Sequence, residues 1–303
     1  MTEAKVMRKD IEFDAEGTTL RGWHYTPDKG TGPFPTIIMA HGSAALKEQY
    51  LDRYAEVFAA AGLACIVYDH RNFGASDGHV RQEIDPILQM RDYRHAITFA
   101  MTLPNVNPDK IGAWGTSLSG GHVLMLSAID KRVKCVVAQV PSISGSAGAV
   151  RRTRADMMAA SRARFDEDRK NRFAGQPPGM MPLVAKDPAT ACFNGGLDAW
   201  EFFQESLKVA PARRNEVTLR SAEMLREYEP GSYIERISPT PLLMIVGNRD
   251  VLTATDLALH AYNRALEPKK LVLFDGGHYD PYVNLFAISS GAARDWFVTH
   301  LLN

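Results

Sequence analysis

Four short, almost wholly apolar runs punctuate the first half of the chain: "TIIMA" (36–40), "ACIVY" (64–68), "IGAWG" (111–115) and "CVVAQV" (135–140). Strands covered on both faces of a parallel sheet have this continuous character, whereas a half-exposed strand alternates. Between the runs lie stretches of helical period at 50–62, 86–101 and 118–129. In the first of these, Tyr54, Val57, Phe58 and Ala61 fall on one stripe. Two alternating segments at about 6–13 and 18–26 come earlier, separated by "EGTT", and predict a hairpin. Strand–helix alternation of this kind predicts right-handed crossovers and a doubly wound α/β sheet.

The alternation stops near residue 142 and resumes near 237. It returns with "PLLMIVG" (241–247), a helix near 254–266, "KLVLF" (270–274) and a terminal helix from about 282. The expected fold is therefore a mostly parallel eight-stranded sheet with helices on both faces, built from residues 1–141 and 237–303. Residues 142–236 form a polar, helical insertion after the sixth strand, and a connection that long normally carries structure or function. Gly145 and Pro239–Pro241, where the insertion meets the sheet, suit hinges or rigid joints.

Composition narrows the setting. The 35 basic residues balance the 35 acidic ones, so no global field points to nucleic acid or an anionic membrane. No apolar run approaches membrane-spanning length, and "MTEAKVMRKDIEF" holds no apolar leader core. Cys65, Cys135 and Cys192 are widely spaced and odd in number, which suits a reducing compartment. The expectation is a cytoplasmic protein without membrane insertion or a nucleic-acid partner.

Candidate chemistry centres on "KIGAWGTSLSGG" (110–121), where a buried strand turns into a helix. Gly115 before Ser117, and Ser119, Gly120 and Gly121 after it, are small enough to pack around a strained turn that lifts the Ser117 hydroxyl above the sheet. A serine hydroxyl needs a base, and the base needs an orienting carboxylate. Asp250 lies three residues past Gly247, beyond the seventh strand, and His278 lies beyond the last strand in "LVLFDGGHYDPY". Asp256, Asp275 and Asp280 compete with Asp250 for the acid, but Asp250 alone sits in the loop after the seventh strand where it can reach His278 from the side. Asp256 could instead cap the following helix. The turn "AHGS" after the first parallel strand offers the Ser43 N–H, or that of Ala44, as one oxyanion donor, with Leu118 N–H as the other. His41 reads as a structural hydrogen-bonding residue, and Asp69 as a carboxylate pinning the Arg71 turn.

With these residues in place, the chain resembles an α/β-hydrolase from end to end. "RNFGASDGHVRQEIDP", "DYRHAITF" and "GGHYDPY" resemble a narrower branch of dienelactone-hydrolase-like and X-Pro-peptidase-like enzymes, including fungal polyketide hydrolases and transferases. Many relatives carry glycine where Ser119 and Asn72 stand; serine is small, and asparagine tolerates a left-handed backbone. The resemblance implies a cap over the site, formed by the insertion, with Met157, Trp200 and Phe202 as candidate pocket residues and Tyr279 and Tyr282 at the entrance. Other apolar candidates in the insertion are Met158, Phe173, Met180, Met181, Phe193 and Phe203. Arg151, Arg152 and Arg154 read as a solvated helix face, with attraction of an acidic substrate as the alternative. The nine histidines show no metal-ligand spacing, and neither a dinucleotide nor a phosphate loop is present. A cofactor-free serine hydrolase of esters or thioesters of a small-molecule acyl group is expected. Acyl transfer, amide or carbon–carbon cleavage, and a non-catalytic binding module are the alternatives.

Overall fold

The computed structural model describes residues 7–302, so Val6, at the edge of the predicted hairpin, lies outside the described residues. Strands β1 (Met7–Ala15) and β2 (Thr18–Thr26) pair antiparallel, with Ala15 opposite Thr18. The two turn residues Glu16 and Gly17 both take positive φ, 54° and 80°. A two-residue turn with that backbone matches the twist of its flanking strands.

The chain then alternates through β3 (Phe34–Ala40), α1 (Leu51–Ala60), β4 (Ala64–Tyr68), α2 (Pro86–Met101), β5 (Val106–Thr116), α3 (Leu118–Ile129) and β6 (Val133–Gln139). Asp85 starts α2 by accepting from the N–H groups of Ile87 and Leu88, with Pro86 just inside the helix. The next segment holds α4 (Gly145–Arg152), α5 (Met158–Phe173), α6 (Leu197–Glu205) and α7 (Leu219–Leu225). It also holds an antiparallel pair of two-residue strands, β7 (Met180–Met181) and β8 (Val217–Thr218). Strand β9 (Leu242–Gly247), α8 (Thr255–Arg264), β10 (Lys269–Phe274) and α9 (Phe286–Phe297) complete the order. The last helix starts four residues later than expected, because Asp280–Tyr282 form a single tight turn first.

The eight main strands form one sheet in the order β1-β2-β4-β3-β5-β6-β9-β10, parallel from β4 to β10. Its side chains divide by the strand period of two. Ile38, Ile66, Ala113, Val136 and Met244 enter one core with residues of α2, α3 and α8. Their neighbours Ile37, Cys65, Trp114, Val137 and Ile245 enter a second core with residues of α1 and α9. Tyr54 and Phe58 of the predicted stripe are fully buried there. A third cluster joins the 142–236 segment to the loops above the sheet: Phe193, Phe202, Phe203 and Tyr228 pack with Leu46, Phe73, Leu118 and Tyr282. Among the described residues no helix is long and apolar enough to cross a membrane.

Candidate active site

Ser117 occupies the step between β5 and α3 with φ 57° and ψ −120°, a backbone that a residue with a Cβ rarely adopts. Close packing holds the turn on every side. A Cβ on Gly115 would stand 2.1 Å from Ser119 O, and one on Gly42 would stand 2.6 Å from Ser117 Cβ. Gly120 and Gly121 lie equally tight against Pro141 and Ser142 O. These contacts account for the small residues that flank the serine in the sequence.

Two loops at other strand ends meet this turn. Ser117 Oγ is 2.9 Å from His278 Nε2, and His278 Nδ1 is 2.7 Å from Asp250 Oδ2. All three residues are buried. Asp250 Oδ1 accepts from the N–H groups of Leu252 and Thr253, and the Thr253 hydroxyl donates to Oδ2 at 2.8 Å. Burial alone would push Asp250 up. The adjacent His278 and the Thr253 donors outweigh it and hold the carboxyl below its ordinary value. The carboxylate therefore stays charged and keeps a proton on His278 Nδ1, leaving Nε2 free to accept from Ser117. Asp256 does not cap α8; it pairs with Arg151 on the surface.

The loop after β3 turns at Ser43 and Ala44, with Ala44 at φ 54°. Ser43, Ser117 and Leu118 line one cleft of about 20 Å³, together with Ser142, Arg152 and Asn194. Leu118 is the first residue of α3, where N–H groups lack intrahelical partners. Among the described hydrogen bonds, neither the Ser43 nor the Leu118 N–H is engaged. His41 serves this loop structurally. Its Nδ1 accepts from Gly42 N–H at 2.7 Å, so Nε2 carries the proton and donates to Gln49 O at 2.9 Å. Burial lowers its pKa to about 4 and keeps it neutral.

Some supporting residues carried little sequence signal. Ser119 Oγ donates to His41 O, and His70 Nε2 lies 2.8 Å from Ser119 Oγ, tying the elbow to the loop after β3. Gln139, the one polar side chain in the apolar run of β6, bonds Thr116 and Tyr54 beneath the elbow. A polar residue inside such a run is a signal for a buried network of this kind. Asn72 does take the left-handed backbone, at φ 71°. Asp69 departs from expectation in its partner. It pins its turn by accepting from Lys47 Nζ, Lys47 N–H and Ala75 N–H, while Arg71 is held by Asp92.

The candidate pocket residues separate. Met157 lines a cavity of about 520 Å³ within the 142–236 segment, alongside Met181 and Phe193. Phe202 stacks on Tyr279 at 4.5 Å and packs against Tyr282, and Trp200 lies at the margin of the same cluster. Tyr279 packs edge-on to His278 at 4.9 Å, and Tyr282 stacks on His41 at 5.4 Å. Those rings are thus neighbours of the triad through packing and are not among the residues lining either cavity. Phe173 is 97% exposed and lines neither. Of the arginines, Arg151 pairs with Asp256 and Arg154 with Asp156, whereas Arg152 lines both cavities. Arg152 is exposed like its neighbours, but α4 places it at the cleft.

Known proteins are similar to this chain over nearly its whole length. The chain is 32% identical over 279 residues to a thiohydrolase of Eupenicillium brefeldianum, covering 90% of this chain and 88% of that one. It is 31% identical over 282 residues to the polyketide transferase grgF of Penicillium sp, covering 92% of each. The crystal structure of the α/β-hydrolase GrgF from Penicillium sp. sh18 superposes with a TM-score of 0.83 at 28% identity, covering 98% of this chain and all of that one. The family described as X-Pro dipeptidyl-peptidase (S15 family) matches residues 16–280. A match of that extent, on a sheet and elbow of this form, makes the chain a member of the X-Pro dipeptidyl-peptidase (S15) family of α/β-hydrolases and an enzyme of the serine-hydrolase type.

Proposed function

We propose that this enzyme cleaves a carboxylic ester or thioester of a small-molecule acyl group through a covalent acyl-serine. The observation that carries the reading is the hydrogen-bonded chain from Ser117 Oγ through His278 to Asp250. Ser117 Oγ attacks the carbonyl carbon as its proton passes to His278 Nε2, and the oxygen that gains charge is received by the Ser43 and Leu118 N–H groups. The tetrahedral adduct collapses, the bond to the leaving group breaks, and His278 returns the proton to the departing alcohol or thiol. Water then gives a proton to His278 and attacks the acyl-serine, releasing the acid and regenerating Ser117. The thiohydrolase relative supports a thioester as substrate. The polyketide transferase relative supports a second reading, in which an alcohol or amine replaces water in the last step. Product analysis with a competing nucleophile separates the two.

The 142–236 segment acts in this reading as the cap that excludes water and selects the acyl group, with the cavity at Met157 as its pocket. A cytoplasmic location belongs to the same reading and rests on Cys65, Cys135 and Cys192 as free thiols. Kinetics test the catalytic assignment. Ser117→Ala is expected to lose a factor of roughly 10⁴ or more in kcat, because triad members act as a unit. Asp250→Asn is expected to lose on the order of 10³–10⁴, by disfavouring the tautomer that His278 needs. Near wild-type ester hydrolysis by either folded variant overturns the assignment of that residue.

A further inference from the structure

The large cavity is apolar along one wall and cationic along another. Met157, Phe165, Met181, Phe193, Leu219 and Leu225 supply the apolar surface. Arg152, Arg164 and Arg226 reach it from α4, α5 and the end of α7. Among the described residues none of these three forms a salt bridge, in contrast to Arg151 and Arg154 beside them, which pair with Asp256 and Asp156. The one acidic side chain in the lining, Asp187, turns its carboxylate to its own loop, accepting from Ala189 N–H at 2.9 Å. Arg226 bonds Ser161 Oγ at 3.1 Å and lies over the Phe165 ring at 4.7 Å, which holds its guanidinium in place without neutralising it.

Arg152 is the link to the site of chemistry. With Leu225 it lines both the large cavity and the cleft that holds Ser117. One guanidinium N–H donates to Leu252 O at 2.6 Å, which fixes the side chain against the loop that carries Asp250. A guanidinium has five N–H donors in a planar fork, so most of its capacity is left for a ligand. Protein surrounds it closely enough for burial to lower its pKa from the ordinary guanidinium value, yet its side chain stays accessible because it opens into the cavity. Asp250, in the same loop as Leu252, is the carboxylate whose charge reaches Arg152, and it is committed to His278. An anion bound in the cavity would answer the remaining like charges of the three arginines.

We propose that the cavity receives the part of the substrate remote from the scissile carbonyl and that this part carries an anionic group, a carboxylate or phosphate, bound by Arg152 in the field of Arg164 and Arg226. The proposal rests on Ser117 as nucleophile only for the position of the carbonyl, and its test separates the two. Two matched pairs of substrates locate the charge. Mono-p-nitrophenyl adipate against p-nitrophenyl hexanoate places it on the acyl part. The hexanoyl thioester of thioglycolate against that of a neutral thiol places it on the leaving group. In one pair the anionic member is expected to be preferred about tenfold or more in kcat/KM, chiefly through KM, the scale of one charge-assisted hydrogen bond. Arg152→Gln is expected to bring that ratio down to about one, and the ratio within each pair, rather than either rate, is the readout. Binding supplies a measurement free of catalysis: adipate is titrated calorimetrically into Ser117→Ala with and without Arg152→Gln, and the affinity should fall by about tenfold or more in the double variant. Ser117-dependent hydrolysis with equal rates within both pairs overturns the anion site and leaves the triad standing. Adipate binding that depends on Arg152, in a protein with no Ser117-dependent hydrolysis, keeps the anion site and overturns the catalytic reading. Adipate affinity unchanged by Arg152→Gln also overturns the anion site.

Discussion

Ser119 illustrates how much of the site depends on single buried groups. Its hydroxyl donates to His41 O, and His70 Nε2–H donates in turn to that hydroxyl, so the first turn of α3 and the loops after β3 and β4 are tied together at one carbonyl beside Ser43 and Leu118. Burial, not the bond itself, keeps His70 neutral, lowering its pKa to about 3. An unfolded histidine takes up a proton near 6.5. Between about 3 and 6.5 the unfolded chain therefore binds a proton that the folded chain refuses. Stability from this group is complete above that window and is lost as pH falls through it. His41, held neutral at about 4, acts in the same direction. We expect urea unfolding to show a drop in stability from pH 7 to pH 5, and a smaller drop in His70→Gln, whose amide can still donate to Ser119. An equal drop in both proteins would mean that His70 titrates normally in the fold.

At the scale of elements, the inner strands β3, β4, β6 and β9 and the second half of β5 were plain in the sequence because they are buried on both faces. The edge hairpin showed by its alternation. Only strand ends shifted: β5 starts at Val106 rather than 111, because polar residues 107–110 fall in an irregularity between the Phe34–Val106 and Thr36–Ile111 pairings. The Ser117 turn was legible for a related reason, that its tight contacts admit only glycine and serine. Asp250 and His278 were legible from their order after strands. The insertion was not, because its residues belong to two surfaces at once. Phe202 looked like a pocket wall by composition, but α6 turns it into rings supplied from residues far along the chain, Tyr279, Tyr282 and Tyr50. Arg152 looked like one of three surface arginines, and only the direction in which α4 presents it sets it apart. Such assignments depend on how helices dock, which sequence period does not encode. With 7% of its surface exposed, Phe202 is a packing residue joining α6 to the loop of His278. Phe202→Ala should cost about 3–5 kcal/mol of stability, and should slow acetate and long-chain esters alike. Unchanged stability with a shifted acyl preference would return Phe202 to the pocket wall.

In the proposed reading the whole molecule divides its work between the sheet and the segment that follows β6. Parallel strands deliver Ser117, Asp250 and His278 at their carboxyl ends, where open α/β sheets present ligand sites. The segment between β6 and β9 packs on the loops at that edge through an aromatic cluster, and it lines a charged, partly apolar cavity. In the proposed reading the sheet supplies rate and the segment supplies choice of substrate. That division holds only if Ser117 is the nucleophile, so the most direct test traps it. The folded protein is treated with a fluorophosphonate, digested, and mapped by mass spectrometry, with His278→Ala treated in parallel. The account predicts one phosphonyl adduct, on the peptide containing Ser117 and on that residue, with labelling strongly slowed in His278→Ala. An adduct on another serine, or no adduct on protein that hydrolyses esters, would contradict it.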